Sequence, residues 1–387
     1  MTKPRIIYLV HNFDNLAGVE IHTKTLWRGL APWFDTYLVH PEQIGPAEFV
    51  LTVRTPAGKI ERYPADPVPW PAAPQHLPKN ESSLKLVLDS VAPDLIHIQH
   101  FIHWPLSVID QCADFGRPLY ISFHDYFAFT PRFTMIGISD PLEAITTAGS
   151  MLHFGSDISR YLKQRLELIG RALGRAEKLI TPAPYLGRLL EKTFRKKVDV
   201  IEIGIEPFQA MPRQFTAPGS SLKFGYVGSM IPQKGWDFLA QNFRHAHSRY
   251  PGIELLMFGG GTPPSLHFPG VRFLGGYEPK EIPAIMAQFD VGIIPSTFAE
   301  TFSMLLSEMW LAGRPALVSD IGALGERVTT GSNGRKFAAG KIADLTASLL
   351  WFVEHDEWRS WRLPKPRLVP SMLEQYRTTY QESLMCR

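Results

Sequence analysis

Cysteine is nearly absent. Cys112 and Cys386 are the only two in 387 residues. No disulfide framework or cysteine-based zinc module can be built from them, and a reducing cytoplasm fits. Long apolar runs are missing too. The stretch from Ile6 to Val10 ends at His11, too short for a signal-peptide core or a membrane helix. Nowhere do 18 apolar residues stand together, so a cytoplasmic protein is expected, at most peripheral at the inner face of a membrane. An excess of one charge is also lacking: 40 Lys and Arg against 37 Asp and Glu leave +3, which gives no reason to expect nucleic acid as a partner. Hydrophobic residues make up 45% and charged ones 20%, with no low-complexity bias, so the chain is ordinary globular material with enough length for two domains.

Short apolar runs alternate with amphipathic stretches, the pattern of parallel sheets covered by helices on both faces. A first series of strands is read at Arg5 to His11, Thr36 to His40, Leu95 to Phe101, Leu119 to His124, Lys178 to Thr181 and Val198 to Ile203. A second series runs through Lys223 to Gly228, Glu254 to Phe258, Val271 to Leu274, Val291 to Pro295 and Pro315 to Ser319. Helices are expected at about Ala17 to Leu30, Asp157 to Ala176, Gly235 to Arg249, Pro279 to Phe289 and Ser303 to Ala312, from apolar residues at three-and-four spacing. Phe49 to Tyr63 reads as a hairpin turning at Ala57-Gly58, and the six prolines from Pro64 to Pro78 as an extended loop. The Pro- and Gly-containing stretch 207–221 reads as a linker between a first domain, 1–206, and a second, 222–365, with a last helix in 366–387. The expected class is α/β, two doubly wound domains with a cleft between them.

The most informative segment runs from Pro295 through Glu300, Phe302 and Glu308 to Pro315. A strand ending at Pro295 passes through a short loop into a helix, so the backbone N–H groups of Phe302, Ser303, Met304 and Leu305 form a helix N-terminus suited to a phosphate. That helix is apolar nearly all round except for Glu308, whose carboxylate needs a hydrogen-bond donor or an ion partner. Glu300 stands just before the helix, either as a helix-start acid or as a ligand group. A second strand-turn-helix, Lys223 to Trp236, carries Gly228, Ser229, Lys234 and Gly235, and Lys234 could be a surface charge or reach an anion. The turn Gly259-Gly260-Gly261 lacks the G-x-G-x-x-G spacing and is followed by prolines, so a dinucleotide fingerprint fails.

Together these pieces resemble glycosyltransferase family 4, whose fold is GT-B, two Rossmann-like domains. Glu300 and Glu308 reproduce its E-x7-E spacing. Gly228 with Lys234-Gly235, the Gly259 turn, Phe273-Leu-Gly275, Asp290 with Pro295-Ser296, and Ala312-Gly313-Arg-Pro315 stand around them in order. Looser matches in the first domain are Ala17-Gly18-Val-Glu20, Pro93 to His100, and His124-Asp125-Tyr126. The resemblance implies a retaining transfer from a nucleoside-diphosphate sugar to a saccharide or lipid-linked acceptor. It would give Glu308 to the ribose hydroxyls, Gly228, Ser229, Gly259 and Gly260 to donor binding, and Lys234 with the Phe302 to Leu305 backbone to the diphosphate. Glu300 would hold the transferred sugar, His124 would act near the reacting carbon, and Gly18, Glu20 and Asp125 would face the acceptor. On residue chemistry alone, His124 could equally be a strand-end histidine capped by backbone.

The chain departs from the family pattern twice: Ser229 stands where an arginine commonly accompanies the lysine, and Ser303 where a glycine often follows the loop phenylalanine. No Asp-x-Asp occurs, so no metal is expected to chelate the diphosphate and no cofactor is expected. His97, His100 and His103 cluster in sequence, but His97 and His100 alternate across a strand, which speaks against a shared ion. From Asp157 to Lys197, 11 Lys and Arg face four acids, a local +7 that reads as a solvated face or as a patch for an anionic membrane. A sugar-nucleotide epimerase of the same fold and a sugar-nucleotide-binding protein with a decayed site are the competing readings.

Overall fold

The computed structural model of the protein describes residues 2–15, 17–69, 73, 75–131, 134, 156–209, 221–260 and 268–385, with 156–162 as backbone only. These residues form two compact units. One comprises the described residues up to Ile203 together with those from Val369 on, the other those within Gly204–Leu368. Residues 210–220 of the expected linker lie outside the described residues, as do Gly261 and Cys386.

In the first unit, eight strands stand in the order β4-β3-β2-β1-β5-β6-β7-β8. They are β1 (Arg5–Leu9), β2 (Asp35–Gly45), β3 (Glu48–Arg54), β4 (Ile60–Ala65), β5 (Leu95–Ile98), β6 (Leu119–Ser122), β7 (Lys178–Thr181) and β8 (Asp199–Val200). β1, β2 and β5 to β8 are parallel, with β1 between β2 and β5, so the strand order reverses there. Two expectations change. β2 runs past His40 to Gly45 because β3 pairs with it antiparallel, making the expected hairpin part of a three-stranded meander. Pro41 and the polar residues after it hide that extension from a search for apolar runs. The strand expected at Val198 to Ile203 shortens to Asp199–Val200, an edge strand with one neighbour.

The helices of this unit follow the strands: α1 (Gly18–Gly29), α2 (Pro78–Val91), α3 (Val108–Asp114), α4 (Ser156–Gly174) and α5 (Pro184–Phe194). The last helix of the chain, named α11 below (Val369–Met385), belongs to the same unit. It buries Met372, Tyr376 and Tyr380 at four-residue spacing, and these pack with Ile6, Tyr8, Leu26, Leu95 and Tyr120.

The second unit has six parallel strands in the order β11-β10-β9-β12-β13-β14. They are β9 (Lys223–Val227), β10 (Glu254–Phe258), β11 (Val271–Phe273), β12 (Val291–Ile294), β13 (Ala316–Ser319) and β14 (Gly334–Phe337). Their alternate residues feed two cores. Phe224, Tyr226, Leu255, Met257, Val291 and Ile293 join one, whereas Val227, Leu256, Phe258, Ile294, Ala316 and Val318 join the other. Burial on both faces is why these strands read as unbroken apolar runs. The covering helices are α6 (Trp236–His247), α7 (Ile282–Met286), α8 (Met304–Leu311), α9 (Gly322–Arg327) and α10 (Ile342–Glu354). Counted within the unit, the order is 3-2-1-4-5-6, which places its ligand crevice beyond the carboxyl ends of β9 and β12.

Candidate functional site

In the second unit, the loops leaving β9 and β12 are joined at the switch point. The Thr297 N–H donates to the Gln233 carbonyl at 3.0 Å. Gly235 has φ +69°, and a Cβ there would come within 1.9 Å of the Pro295 carbonyl oxygen, so only glycine permits this approach. Lys234 closes the short 3-10 turn just before it, and its ammonium donates to Glu300 Oε1 at 2.9 Å. The Ser296 hydroxyl donates to the same oxygen. Burial alone would raise the Glu300 pKa, but the Lys234 charge and hydrogen bonds from Ser296, Lys234 and Ser303 hold it below the ordinary carboxylate value. Glu300 therefore remains an anion in the buried interior, with an ammonium at its side. Gly228 and Gly259 follow adjacent strands: the Gly228 N–H donates to the Phe258 carbonyl at 2.9 Å, and the Met230 N–H to the Gly260 carbonyl at 3.3 Å.

α8 begins at Met304 with no acidic residue in its first turn and no side-chain cap. Its first N–H groups have no partners within the helix and carry its positive pole. Phe302 is buried, while Ser303, Met304 and Leu305 are partly exposed. One turn further on, Glu308 meets no hydrogen-bond donor among the described residues, and burial pushes its carboxyl up to about 7. Its charge is felt by Tyr277, whose hydroxyl is raised to about 12, first by burial and then by Glu308. Tyr277 also lines an open depression of about 450 Å³ with Gly276, Glu278, Lys280 and Glu281. Glu300, Lys234 and the α8 loop are thus brought together. Ser229 projects no cation, and its carbonyl accepts the Tyr226 hydroxyl at 2.8 Å.

One residue here escapes motif reading. Arg327, at the end of α9, donates to the carbonyls of Phe302 and Ser303 and to the Ser307 hydroxyl. It occupies no matched motif position, and only a lone cation near a loop of small residues could have drawn notice.

In the first unit, histidines gather beyond β1, β5 and β6. His124 follows β6, and its Nε2 lies 3.1 Å from Gln99 Oε1. An amide oxygen only accepts, so Nε2 carries the ring proton. Burial holds His124 well below its ordinary pKa, with the neighbouring His22 and His100 adding to the effect, so it is neutral with Nδ1 as its acceptor nitrogen. Gln99 is fixed in turn: its amide nitrogen lies 3.0 Å from the His97 ring, which meets Ser122 at 2.8 Å and the Tyr380 hydroxyl at 2.5 Å. His100 Nδ1 accepts the Ile102 N–H, leaving Nε2 to face Asp125 Oδ2 at 3.0 Å. His11 Nε2 lies 3.0 Å from Glu20 Oε1 in the first turn of α1, the helix that Gly18 opens. His97 therefore turns into the protein while His100 turns to Asp125, and among the described residues no group of His, Cys, Asp and Glu is arranged to hold a metal ion.

The basic stretch divides. Arg165 is buried on the carbonyls of Phe127 and Ala128, Arg175 pairs with Asp110 and Asp114, and Lys178 pairs with Asp199. Lys196 donates to the carbonyls of Leu173, Gly174 and Ala176 at the end of α4. Lys163, Arg171, Arg188, Lys192, Arg195 and Lys197 are exposed, and the Arg160 side chain lies outside the described residues. No described helix is long and apolar enough to cross a membrane.

Known proteins place this arrangement. The model "Glycosyltransferase Family 4" matches residues 16–207 and "Glycosyl transferases group 1" matches 221–355. A phosphatidyl-myo-inositol mannosyltransferase of Propionibacterium freudenreichii is 31% identical over 121 residues, 31% of each chain. A glycogen synthase of Mycobacterium tuberculosis is 26% identical over 251 residues, 60% of this chain and 59% of that protein. The matches thus span from about a third to under two thirds of these relatives' lengths. Among solved structures, sucrose-phosphate synthase from Thermosynechococcus elongatus superposes with a TM-score of 0.69 at 15% identity, covering 100% of both chains. Anabaena HepE in complex with UDP does so with a TM-score of 0.66 at 15% identity, covering 98% of this chain and 100% of that one. The two domain models, side by side along the chain and joined to the GT-B fold, show that the chain belongs to glycosyltransferase family 4.

Proposed function

We propose that the protein is a retaining, metal-independent hexosyltransferase that moves a sugar from a nucleoside diphosphate to a saccharide or lipid-linked acceptor. The observation that carries this reading is Glu308. A half-buried carboxyl with no donor among the described residues is costly unless a ligand supplies one, and the vicinal hydroxyls of a ribose are neutral donors of the right kind. The positive pole of α8 and the Lys234 ammonium beside it suit the diphosphate. Relatives support a donor of this class: Anabaena HepE has been solved with UDP and with UDP-glucose.

As the glycosidic bond breaks, negative charge grows on the departing diphosphate. Lys234, held beside Glu300, and the N–H groups at the start of α8 are already in place to stabilise it. Glu300, kept ionised by the Lys234 charge and by hydrogen bonds from Ser296, Lys234 and Ser303, accepts hydroxyls of the transferred sugar. Neutral His124 offers Nδ1 as an acceptor for a sugar hydroxyl, and the carboxylates Glu20 and Asp125 suit hydroxyl groups of the acceptor. No step in this scheme requires a metal. Membrane contact would rest on the exposed cations Lys163, Arg171, Arg188, Lys192, Arg195 and Lys197, since Arg165 and Lys196 are committed to backbone carbonyls.

The test is a thermal-shift screen with UDP-, GDP-, ADP-, CDP- and dTDP-sugars, followed by transfer assays with the stabilising donor in excess EDTA. Binding and transfer to an added acceptor support the reading. Release of an epimerised free donor, or binding without any transfer across a broad acceptor panel, refutes it.

A further inference from the structure

Ser229 leaves the diphosphate site without its second cation, and Ser303 puts a side chain where the backbone has φ +69° and ψ 91°. The second of these departures falls beside one element, α9. At its start, Gly322 lies so close to the loop before α8 that a Cβ would come within 2.7 Å of the Glu300 carbonyl, and the Ala323 N–H donates to that carbonyl at 2.8 Å. At its end, Arg327 Nη1 donates to the carbonyls of Phe302 at 2.8 Å and Ser303 at 2.9 Å, while Nη2 donates to the Ser307 hydroxyl at 2.7 Å. Its guanidinium also lies 4.1 Å from the Phe302 ring centre and 5.2 Å from that of Trp310. α9 therefore holds this loop at both ends.

Peptide planarity turns these contacts into an orientation. In a trans peptide the carbonyl and the next residue's N–H point in opposite directions. With the carbonyls of Phe302 and Ser303 drawn to Arg327, the N–H groups of Ser303 and Met304 are aimed away from it, as the first donors of the α8 pole. The fixed guanidinium charge adds to the field of that pole.

We propose that Arg327 is a positioning residue for the donor diphosphate: it aims the Ser303 and Met304 N–H groups and supplies the positive charge that position 229 lacks. This rests on the donor reading above. Lysine cannot reproduce the function fully, because a point charge does not grip two carbonyls and a hydroxyl as the planar fork does.

The experiment is calorimetry of the full chain with UDP, GDP and ADP and, by competition, with the corresponding nucleosides. Arg327→Gln should weaken the bound diphosphate by about 10-fold or more while nucleoside affinity changes less than about 2-fold. Adding Ser229→Arg to that variant should recover several-fold of the diphosphate affinity, a rescue that a purely structural role does not provide. Arg327→Lys, which keeps the charge, should fall between wild type and Arg327→Gln, and it carries the comparison if the glutamine variant does not fold. Equal losses for diphosphate and nucleoside, or an unchanged diphosphate affinity, overturn the proposal while leaving the donor reading intact. A wild type that binds none of the three diphosphates overturns the donor reading and this inference with it.

Discussion

Glu308→Gln should make the ligand-free protein more stable at neutral pH and a poorer binder of its donor. The carboxyl is raised by burial from its ordinary 4.5 to about 7, so the folded protein resists its ionisation. The sign follows from proton counting. Between these two values the folded state holds the Glu308 proton more tightly than the unfolded chain, so stability falls as pH rises through that window and the full cost is present above about 7. At about 1.4 kcal/mol for each pH unit, the cost approaches an upper bound of about 3.5 kcal/mol. Glutamine removes the ionisation and with it most of that cost. In the proposed site ribose hydroxyls donate to the carboxylate, so the bound donor should favour the ionised form, and near pH 6.5 binding should expel a fraction of a proton. Thermal melts from pH 4.5 to 8 should show the variant gaining over wild type as pH rises, with no difference at the acid end. Calorimetry in buffers of different ionisation enthalpy should show proton release on nucleoside-diphosphate binding for wild type and none for Glu308→Gln. The variant should also bind about 10-fold more weakly, in line with loss of a hydrogen bond to a charged group. Equal melting across the pH range, or unchanged affinity in the folded variant, refutes the argument.

Three further outcomes follow from the site. Lys234→Ala should lower kcat by at least about 100-fold with a smaller loss of donor affinity, because its contact strengthens as the diphosphate departs; normal turnover at saturating donor would make it a plain partner of Glu300. Gln99→Glu should raise the His124 pKa by placing a carboxylate on Nε2–H, where His22, His100, His11 and Asp125 already set the field. The acid limb of the kcat profile should then move up by about one pH unit or more, whereas an unmoved profile removes His124 from the reaction. Finally, burial lowers His22 to about 3 and His40 to about 4, so their neutral forms stabilise the first unit fully above about 6.5, and that stability is lost as pH falls toward those values. Melting temperature should drop steeply below pH 6, and His22→Gln should flatten that slope; identical slopes would show that His22 is not the group being protonated.

Most of the fold was legible because the parallel strands are buried on both faces and stand out as apolar runs. β9, β10, β12 and β13 fall where the sequence places them, and so do α1, α4, α6 and α8, with their three-and-four spacing. Elements stabilised by one neighbour or by proline-interrupted pairing were not. β8 keeps two residues of an expected six because a short edge ladder ends where its single partner does, and β2 gains five beyond His40 because β3 is there to pair with them. In both cases the deciding partner lies elsewhere in the chain, beyond the reach of local pattern.

The site divides along the same line. Candidates that lie within one loop, such as Lys234 at the end of its turn, Glu300 before α8 and the α8 pole itself, could be picked out from their place in the motifs. What their neighbours do to them could not. The sequence asks only that Glu308 find a donor; the fold supplies none among the described residues, and that absence turns a structural acid into a group with an unmet demand at neutral pH. Nor does the sequence say that Ser303, carrying a side chain at a positive φ that costs about 1 to 2 kcal/mol for such a residue, is held there by an arginine 24 positions later. Ser303→Gly should therefore stabilise the second unit by up to about 1 kcal/mol, less than the strain relieved because glycine also frees the unfolded chain. It should do so while leaving donor affinity close to wild type, since the backbone N–H proposed to meet the ligand is kept. A loss of stability on that substitution would mean that the Ser303 side chain, through its hydrogen bond to Glu300, contributes more than its backbone conformation costs.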